Sequence, residues 1–495
     1  MQMIVPDHLQ QLGLVSLAQL RQLLTSQIEE ESHWIKDLSD EEFAKEFRRI
    51  THAKRFQERW QADPDFREQV LKDPQQAVAR YHLEVEPEEI KPLWEPQLCE
   101  KLKEEGQQHL LVQRCRDFVR VSEKCDRSNL IDASHNRQYK AWRERQMNRL
   151  SGQVAKWLYD QIGHFSVSFE LSKGCSVGCW FCSVSAPSLK DIFFYTTENA
   201  QLWRDVLELL RETLGTAAAD GFCYWATDPL DNPDYEKFLC DFHAILGVFP
   251  QTTTAQPLKN LARTRSLLKL ALEKGNRLNR FSILSLKIFN QLDEAFTPEE
   301  LAFVGLVIQN KEASIEKANA GRMREYNQRQ AAKKNQAVDE SLPGTNACVS
   351  GFLFNMVDRA VKLISPCPAN DRWPNGYRVY DETTFTTVDE LKAFLEKAIK
   401  THMPLTLRPG DRVRFRRDLK YEEFEDGFHV STRFLTVKFR NDPYLKQLGK
   451  VILKGDKTVS QITSLFNVCG IPSPTTLKAL NLMFEKGIFD DEPQA

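Results

Sequence analysis

The pattern of apolar and polar positions divides the chain into a helical first part and a mixed middle part. Residues 1 to about 155 are rich in Gln, Glu, Arg and Leu with few β-branched runs, which predicts helices. From about 160 to 310, short apolar runs alternate with helical stretches. The predicted strands are Phe165–Phe169, Phe222–Ala226, Val248–Thr254, Phe281–Leu286 and Phe303–Gln309, and the predicted helices are 198–214, 234–246 and 258–273. This alternation predicts an α/β fold with a parallel sheet covered by helices.

The segment from Cys348 to Cys367 predicts a β-hairpin. Two strand-like runs, Phe352–Val357 and Ala360–Ile364, are separated by two residues with the composition of a tight turn. The register of this turn places Cys348 opposite Cys367 at the open end of the hairpin. The preceding residues, 311–340, are charged and nearly free of large apolar groups, which predicts a solvated helix or a mobile connector. A functional role for Gly321–Asn327 is the alternative, and a solvated face is favoured over it.

Composition restricts the class of protein without identifying it. The chain has 495 residues, 41% of them hydrophobic, and a formal net charge of −2. That length suggests about three domains, and that charge gives no general attraction to nucleic acid or membrane. No apolar stretch approaches the ~20 residues that span a bilayer, and residues 1–10 lack the layout of an export signal. We therefore expect a cytoplasmic protein with neither nucleic acid nor a membrane as a partner.

Three cysteines follow the first predicted strand directly. Cys175, Cys179 and Cys182 form a C-x3-C-x2-C run, and three thiolates on one loop can hold three irons of a 4Fe–4S cluster. The fourth iron is then open to S-adenosylmethionine. Structural zinc is the alternative, but it would need a fourth ligand that is not found nearby in the sequence. Eleven cysteines without a secretory signal do not favour disulfides.

This spacing, with Phe181 before the last cysteine, resembles the signature of the radical S-adenosylmethionine superfamily. The resemblance implies a partial (β/α)6 barrel whose active site lies at the carboxyl ends of the strands. It implies a 4Fe–4S cluster and S-adenosylmethionine as cofactors, with Cys175, Cys179 and Cys182 as iron ligands and Phe181 beside the cofactor.

The same resemblance suggests further cofactor contacts. The run Ala226-Thr227-Asp228-Pro229 stands where family members commonly carry G-G-E-P, so Thr227 and Asp228 are expected to hold the methionine ammonium. Ser282 and Ser285 on the fourth predicted strand, and Gln309 after the fifth, are candidates for contacts to the ribose or the carboxylate.

A stretch in the helical part resembles a leader peptide of ribosomally made natural products. Residues Arg55–Ala77 contain D-P-x-F-R followed by D-P-x-x-A. The alternative interpretation is two amphipathic helices, with Asp63 and Asp73 as N-caps and a proline at each first helical position.

The last part of the chain, 405–495, resembles a winged-helix peptide-recognition domain. Three strand-like runs precede a helical segment in which Gly455 and Thr458 predict a break and a new N-cap. Such a domain captures a leader by adding it as a strand to a sheet edge. A DNA-binding winged helix is the alternative. It is the weaker one, because the predicted recognition helix Ser473–Lys486 has only two basic residues, both lysines.

The order of these parts resembles the radical peptide epimerases of the polytheonamide type. The resemblance implies an N-terminal helical domain (1–155), a radical core (156–340), a cysteine-bearing hairpin extension (341–404) and a leader-recognition domain (405–495). It implies a precursor peptide bound through its leader, and an electron donor of the flavodoxin or ferredoxin type.

Epimerisation requires that hydrogen leave an α-carbon and return on the opposite face. The family resemblance assigns removal to a 5′-deoxyadenosyl radical and return to a cysteine thiol, for which Cys367 and then Cys348 are the candidates. Either cysteine could instead be a packed residue or a cluster ligand. Two other functions stay open, namely a crosslinking or thioether-forming peptide maturase and a non-catalytic leader-binding scaffold.

Overall fold

The computed structural model describes residues 15–25, 33–95, 97, 98, 101, 104, 109–123, 134–337 and 342–493. The chain forms two compact units. Unit 1 comprises Met1–Arg127 and Asp228–Glu316, and unit 2 comprises Ser128–Thr227 and Lys317–Ala495.

The elements are numbered along the chain. The helices within the described residues are α1 (Leu17–Thr25), α2 (His33–Lys36), α3 (Asp40–Ala62), α4 (Pro64–Lys72), α5 (Pro74–Arg80), α6 (Pro87–Ile90), α7 (Leu110–Glu123), α8 (Arg137–Ser151), α9 (Lys156–Tyr159), α10 (Thr197–Leu214), α11 (Tyr235–Leu246), α12 (Leu261–Glu273), α13 (Leu286–Ala295), α14 (Gly321–Lys333), α15 (Val388–His402), α16 (Pro443–Lys454), α17 (Val459–Val468) and α18 (Ser473–Glu485). The strands are β1 (Phe165–Glu170), β2 (Ser172–Lys173), β3 (Asp191–Ile192), β4 (Thr253–Thr254), β5 (Asn279–Ile283), β6 (Val304–Ile308), β7 (Val349–Asn355), β8 (Ala360–Pro366), β9 (Tyr377–Thr384), β10 (Lys420–Phe424), β11 (Gly427–Ser431) and β12 (Thr436–Phe439).

The helical part of unit 1 contains the stretch that resembles a leader peptide. Asp63 caps α4 by accepting hydrogen bonds from the N–H groups of Asp65 (3.0 Å) and Phe66 (3.2 Å). Asp73 caps α5 in the same way, accepting from Gln76 at 3.0 Å. The prediction of two proline-led, aspartate-capped helices is therefore confirmed. Phe66 is fully buried in the aromatic core of these helices, so the stretch forms part of the folded unit.

A parallel sheet in the order β4-β5-β6 completes unit 1. Helix α3 lies along β6, where Lys54 Nζ donates to the carbonyl of Val304 (2.6 Å). The predicted strand Phe303–Gln309 is confirmed as β6. The predicted strand Phe281–Leu286 is a strand only as far as Ile283, because Ser285 caps α13 and Leu286 begins that helix. The predicted strand 248–254 is reduced to its last two residues, because Pro250 within it has no N–H for a ladder.

The main sheet of unit 2 has the order β1-β7-β8-β9. Strand β7 is parallel to β1, and the β7–β8 pairs run from Gly351–Ile364 to Asn355–Ala360. This is the register that the sequence predicted for the hairpin. The hairpin extends the sheet of β1 and continues into β9. Helices α8 and α15 contact these strands.

The predicted strand Phe222–Ala226 is wrong beyond its first residue. Phe222 makes an isolated bridge to Ser168 of β1, and the chain then turns, with the Thr227 N–H donating to the Trp225 carbonyl at 2.7 Å. Tyr224 and Trp225 both pack against one apolar cluster that includes Phe222. Two consecutive side chains on one cluster do not fit the alternation of a strand.

The last part of unit 2 is an antiparallel sheet, β10-β11-β12, followed by α16, α17 and α18. Gly455 ends α16 in the left-handed conformation with φ of 66°, and Thr458 begins α17 with a capping box. Both features were predicted. Within the described residues β12 has one neighbour, β11, and its other edge is unpaired.

The chain is thus a mixed α/β protein, as predicted. Its described strands lie in four separate sheets, and none of these sheets closes into a barrel. The partial barrel remains a prediction. Within the described part of the chain, no helix combines the length and apolar character needed to cross a bilayer.

Candidate functional site

The loop that carries Cys175, Cys179 and Cys182 is closed at its base by backbone hydrogen bonds. The Cys175 N–H donates to the carbonyl of Pro187 (2.9 Å), and the Leu189 N–H donates to the carbonyl of Cys175 (3.2 Å). Gly174 has φ of +88°, and a Cβ there would lie 2.3 Å from the Ser188 carbonyl oxygen. A side chain at residue 174 would therefore prevent the loop from closing.

All three thiols on this loop are half-buried and electrostatically coupled. The pKa of Cys179 is raised to about 11, first by burial and then by the neighbouring thiols of Cys182 and Cys175. Cys182 Sγ accepts a hydrogen bond from the Ala186 N–H at 3.4 Å. Hydrogen bonds of this kind to cluster sulfurs are one way in which a protein sets the potential of an iron–sulfur centre.

The three thiols are a donor type that both zinc ions and iron–sulfur clusters use. Within the described residues, no three His, Cys, Asp or Glu side chains are grouped closely enough to hold one metal ion. A single zinc ion draws its thiolates to ~2.3 Å from one point, whereas each cysteine of a 4Fe–4S cluster binds its own iron.

The first turn of α14 holds the cysteine loop. Gly321 has φ of +52°, and a Cβ there would lie 2.4 Å from the Ser183 carbonyl oxygen. The Arg322 N–H donates to the carbonyl of Cys182 (2.9 Å). The Arg322 guanidinium donates to the carbonyl of Cys179 (2.6 Å) and also to that of Ala186. The sequence indicated a solvated helix here, so this clamp was missed, although Gly-Arg at a helix start was visible in the sequence.

Aromatic side chains surround the tip of the same loop. Phe181 packs edge-on against Trp180, with ring centroids 5.5 Å apart, and Trp180 packs against Tyr326 of α14 at 4.9 Å. The Lys317 ammonium lies 5.7 Å from the Phe181 ring centroid. Phe181 is therefore half-buried on the cysteine loop, and its place beside the cofactor remains a prediction.

A carboxylate that sequence reasoning missed lies at the end of β1. Glu170 accepts hydrogen bonds from Asn355 Nδ2 (2.6 Å) and from the Ala226 N–H (3.3 Å). Its pKa is raised, chiefly by loss of hydration. The residue is half-buried and precedes the cysteine loop by five positions. The contact with Ala226 brings the segment that contains Thr227 to the end of β1.

The other predicted cofactor contacts belong to unit 1, at the carboxyl ends of its parallel strands. Asp228 is buried and accepts hydrogen bonds from Thr254 Oγ1 (2.9 Å) and the Ala255 N–H (2.7 Å). Ser285 caps α13 by accepting from the Ile288 N–H (3.2 Å). Ser282 lies on β5, and Gln309 directly follows β6.

The two hairpin cysteines differ in exposure. Cys367 is fully buried, and its pKa is raised to about 11 by that burial, an effect that the nearby Arg378 reduces. Cys348 is half-buried, and it packs against the same apolar cluster as Trp225. Cys348 is thus the more accessible thiol, and it shares a cluster with the segment that leads to Thr227.

Comparison with known proteins places the chain in a family without assigning an activity. No protein-family model matches the chain. It is 38% identical over 454 residues to the uncharacterized protein y4wI of Sinorhizobium fredii, covering 90% of this chain and 88% of that protein. The chain therefore belongs to the same family as y4wI.

One solved structure was found to be similar in part. It is described as BtrN in complex with AdoMet and 2-DOIA, and the match covers 29% of this chain and 56% of that one, at 17% identity and a TM-score of 0.22. Similarity at this level carries no argument about fold or function.

Proposed function

We propose that the chain is a radical S-adenosylmethionine enzyme that epimerises residues of a ribosomally made precursor peptide. The observation that carries the proposal is the cysteine loop, in which three coupled, half-buried thiols are held by Gly174 at the base and by Arg322 from α14. The assignment of epimerisation as the reaction rests on the order of the sequence parts, which resembles that of the radical peptide epimerases.

Cys175, Cys179 and Cys182 would hold the 4Fe–4S cluster. When bound, the cluster supplies one electron to S-adenosylmethionine, whose cleavage gives the 5′-deoxyadenosyl radical that removes hydrogen from carbon. The chain keeps the loop in place, because Arg322 satisfies the carbonyl oxygens of Cys179 and Ala186.

Glu170 is proposed as a carboxylate for the methionine ammonium of S-adenosylmethionine. The Asn355 amide and the Ala226 N–H that donate to it are neutral groups. A cationic partner stabilises a carboxylate more strongly where hydration is low. Asp228 already accepts hydrogen bonds from Leu230, Thr254 and Ala255. The contacts of Thr227, Asp228, Ser282, Ser285 and Gln309 to the cofactor remain predictions.

Cys348 is proposed as the hydrogen donor in preference to Cys367. The α-carbon radical takes a hydrogen atom from a thiol, which leaves a thiyl radical. An electron donor of the flavodoxin or ferredoxin type supplies the electron, and solvent the proton, that restore the thiol. The donor sulfur must therefore contact the substrate. It must also be able to receive an electron from the external donor, directly or through neighbouring residues. Half-buried Cys348 meets the first requirement better than fully buried Cys367.

The precursor is proposed to bind through its leader at the free edge of β12. An extended peptide can pair with the unpaired backbone groups of such an edge. Strand β12 is partly exposed and carries one charged side chain, Lys438. Its second edge has no partner within the described residues.

The cluster assignment is tested by metal analysis of the reconstituted protein. The chain should bind about four irons with matching sulfide, and replacing Cys175, Cys179 and Cys182 with Ala should abolish both. Cys469→Ala is the matched control, because Cys469 is exposed and lies on the last part of unit 2. Stoichiometric zinc without iron or sulfide would reject the proposal.

The reaction is tested with a precursor peptide in D2O. Epimerisation exchanges one hydrogen for deuterium on the α-carbon of each modified residue. Cys348→Ala should release 5′-deoxyadenosine without this exchange, and Cys367→Ala should retain exchange. Loss of two hydrogens from the peptide would instead identify a crosslinking or thioether-forming enzyme. If the reduced, iron-loaded protein released no 5′-deoxyadenosine, the non-catalytic leader-binding scaffold would be the remaining candidate function.

A further inference from the structure

Unit 2 contains a cleft of about 730 Å³ beside the loop that follows Cys367. Seven arginines line this cleft, against three acidic side chains. Three of the arginines form its buried floor, with 3–4% of each side chain exposed, namely Arg149, Arg378 and Arg416. Arg372, Arg417 and Arg433 form an exposed rim. We call this the arginine cleft.

An acidic segment of the chain itself already binds to part of the arginine cleft. Asp490 pairs with Arg414 at 2.7 Å. Glu492 pairs with Arg149 and with Arg378, each at 2.5 Å, and it accepts a hydrogen bond from Trp373 Nε1 (3.0 Å). The cleft is therefore built to bind carboxylates carried on a polypeptide, since guanidinium groups match carboxylates in geometry as well as charge.

The rim of the cleft retains unused positive charge. Among the residues that the structure describes, Arg372, Arg417 and Arg433 have no carboxylate within 4.0 Å, whereas the floor arginines are all paired. Arg372 and Arg433 lie over the rings of Trp373 and Phe434. The cleft can therefore accept further carboxylates with its own acidic segment in place.

The arginine cleft continues into a second cavity of about 660 Å³. Pro368, Ala369, Asn370, Arg433 and Phe434 line both cavities. The second cavity reaches Arg324 and Gln328 of α14, the helix whose first turn holds the cysteine loop. Arg433 and Phe434, which line both cavities, lie two to three residues before β12, the proposed leader edge. Together the two cavities connect β12 with α14 along one side of unit 2.

We infer that the arginine cleft binds an acidic segment of the peptide substrate, next to the leader strand, and directs the following residues along the second cavity toward the cysteine loop. This inference rests on the proposed function for the identity of the peptide as substrate. A peptide fits better than a nucleic acid, because the groups that the floor already binds are side-chain carboxylates of an extended chain.

The test measures anaerobic binding of a fluorescently labelled, Asp- and Glu-rich dodecapeptide to the full, iron-loaded chain. Fluorescence anisotropy reports the bound fraction of the peptide. The control peptide has Asn and Gln at the same positions. Removing two rim charges in R417A/R433A should weaken the acidic peptide about tenfold, by analogy with exposed ion pairs, and added salt should weaken it further. R211A is the matched control, because Arg211 is an exposed arginine of α10 that pairs with Glu208 outside the cleft.

A second variant changes affinity in the opposite direction. E492Q removes the carboxylate shared by Arg149 and Arg378, so the acidic peptide should bind severalfold more tightly. Circular dichroism would establish that each variant is folded. The inference is overturned if the neutral peptide binds equally, if R417A/R433A behaves as R211A does, or if single-stranded DNA of equal charge binds more tightly. Displacement by inorganic phosphate, but not by sodium chloride of the same ionic strength, would also overturn it, in favour of a small-anion site.

Binding and chemistry fail independently in this design. A chain that releases 5′-deoxyadenosine without binding the acidic peptide refutes the role of the cleft and leaves the proposed function. A chain that binds the peptide without cleaving S-adenosylmethionine refutes the proposed function and leaves the cleft as a peptide-binding site.

Discussion

The clamp that α14 places on the cysteine loop makes a quantitative prediction for Arg322→Ala. The substitution removes the guanidinium hydrogen bonds to the carbonyls of Cys179 and Ala186 and keeps the backbone hydrogen bond to Cys182. A hydrogen bond to a charged group contributes about 1.5–3 kcal/mol. Because Arg322 is half-buried, we expect a combined loss nearer to 2–4 kcal/mol. That loss corresponds to roughly 30- to 1000-fold more frequent local opening of the loop.

Native-state hydrogen exchange on the protein without iron measures this opening directly, since exchange reports local unfolding free energies. Amides of residues 175–189 should exchange faster by that factor in R322A. R322K should give an intermediate effect, because an ammonium cannot present two parallel donors as a guanidinium does. Arg329→Ala is the control, since Arg329 is an exposed arginine of the same helix that lines neither cavity. Unchanged protection of the loop in R322A would refute the clamp.

Three further substitutions or reactions test other parts of the molecule. The pKa of Glu170 is raised in the folded protein, so its ionisation removes stability as the pH rises above about 4.3, the unfolded value. Thermal unfolding should therefore find E170Q more stable than the parent at pH 8 and equal to it near pH 4, and a gain at pH 4 would contradict this. R59M should destabilise unit 1 by about 2–4 kcal/mol in urea titration, because buried Arg59 pairs with Asp63 and Asp293. Iodoacetamide should label exposed Cys469 long before Cys367, whose thiol is buried with a pKa of about 11, and equal labelling rates would contradict this assignment.

Local sequence signals predicted the elements whose structure is set locally. The hairpin register followed from a tight turn, and the observed pair Gly351–Ile364 lies on the predicted ladder. Asp63 and Asp73 were predicted as caps because an aspartate before a proline satisfies the backbone donors of a helix start without any tertiary contact. These features depend on residues fewer than about fifteen positions apart.

Features set by distant contacts were not predicted. Tyr224 and Trp225 have strand-like composition, but they pack together on one cluster and the chain turns. Arg322 contacts a carbonyl that is 143 positions away in sequence. Helix α14, which carries Arg322, has a polar sequence of the kind that normally faces solvent. Nothing in this sequence indicates that backbone carbonyls of the cysteine loop, and not water, accept the hydrogen bonds of Arg322. Contacts between polar side chains and distant backbone groups cannot be predicted from the hydrophobic pattern of a sequence.

The cysteine loop was predicted in its position directly after the first strand, and its iron-ligand set stays a prediction. The two hairpin cysteines show how little a motif says about the accessibility of a thiol. Sequence order favoured Cys367, because prolines follow it and would hold it rigidly. The structure does surround Cys367 with fixed groups, but the same packing excludes it from the surface. A hydrogen donor must be held rigidly and must also be accessible to the substrate, and these two requirements oppose each other. The packing around Cys348 and Cys367 decides which of the two thiols can meet both, and the sequence motif does not.

One loop joins the three features on which the proposals rest. The loop 368–374 begins directly after Cys367, and the carbonyl of Pro374 accepts the Gly321 N–H at 2.7 Å. Asp371 pairs with Arg324 at 2.7 Å, and Pro368, Ala369 and Asn370 line both cavities. Under the proposed function, a peptide bound on this loop would be linked through α14 to the carbonyls of the cysteine loop. The proposal therefore predicts that substrate binding and the position of the three thiols are coupled through these few hydrogen bonds. Weakening the hydrogen bond at Gly321 should then leave peptide affinity unchanged and lower the rate of α-carbon exchange.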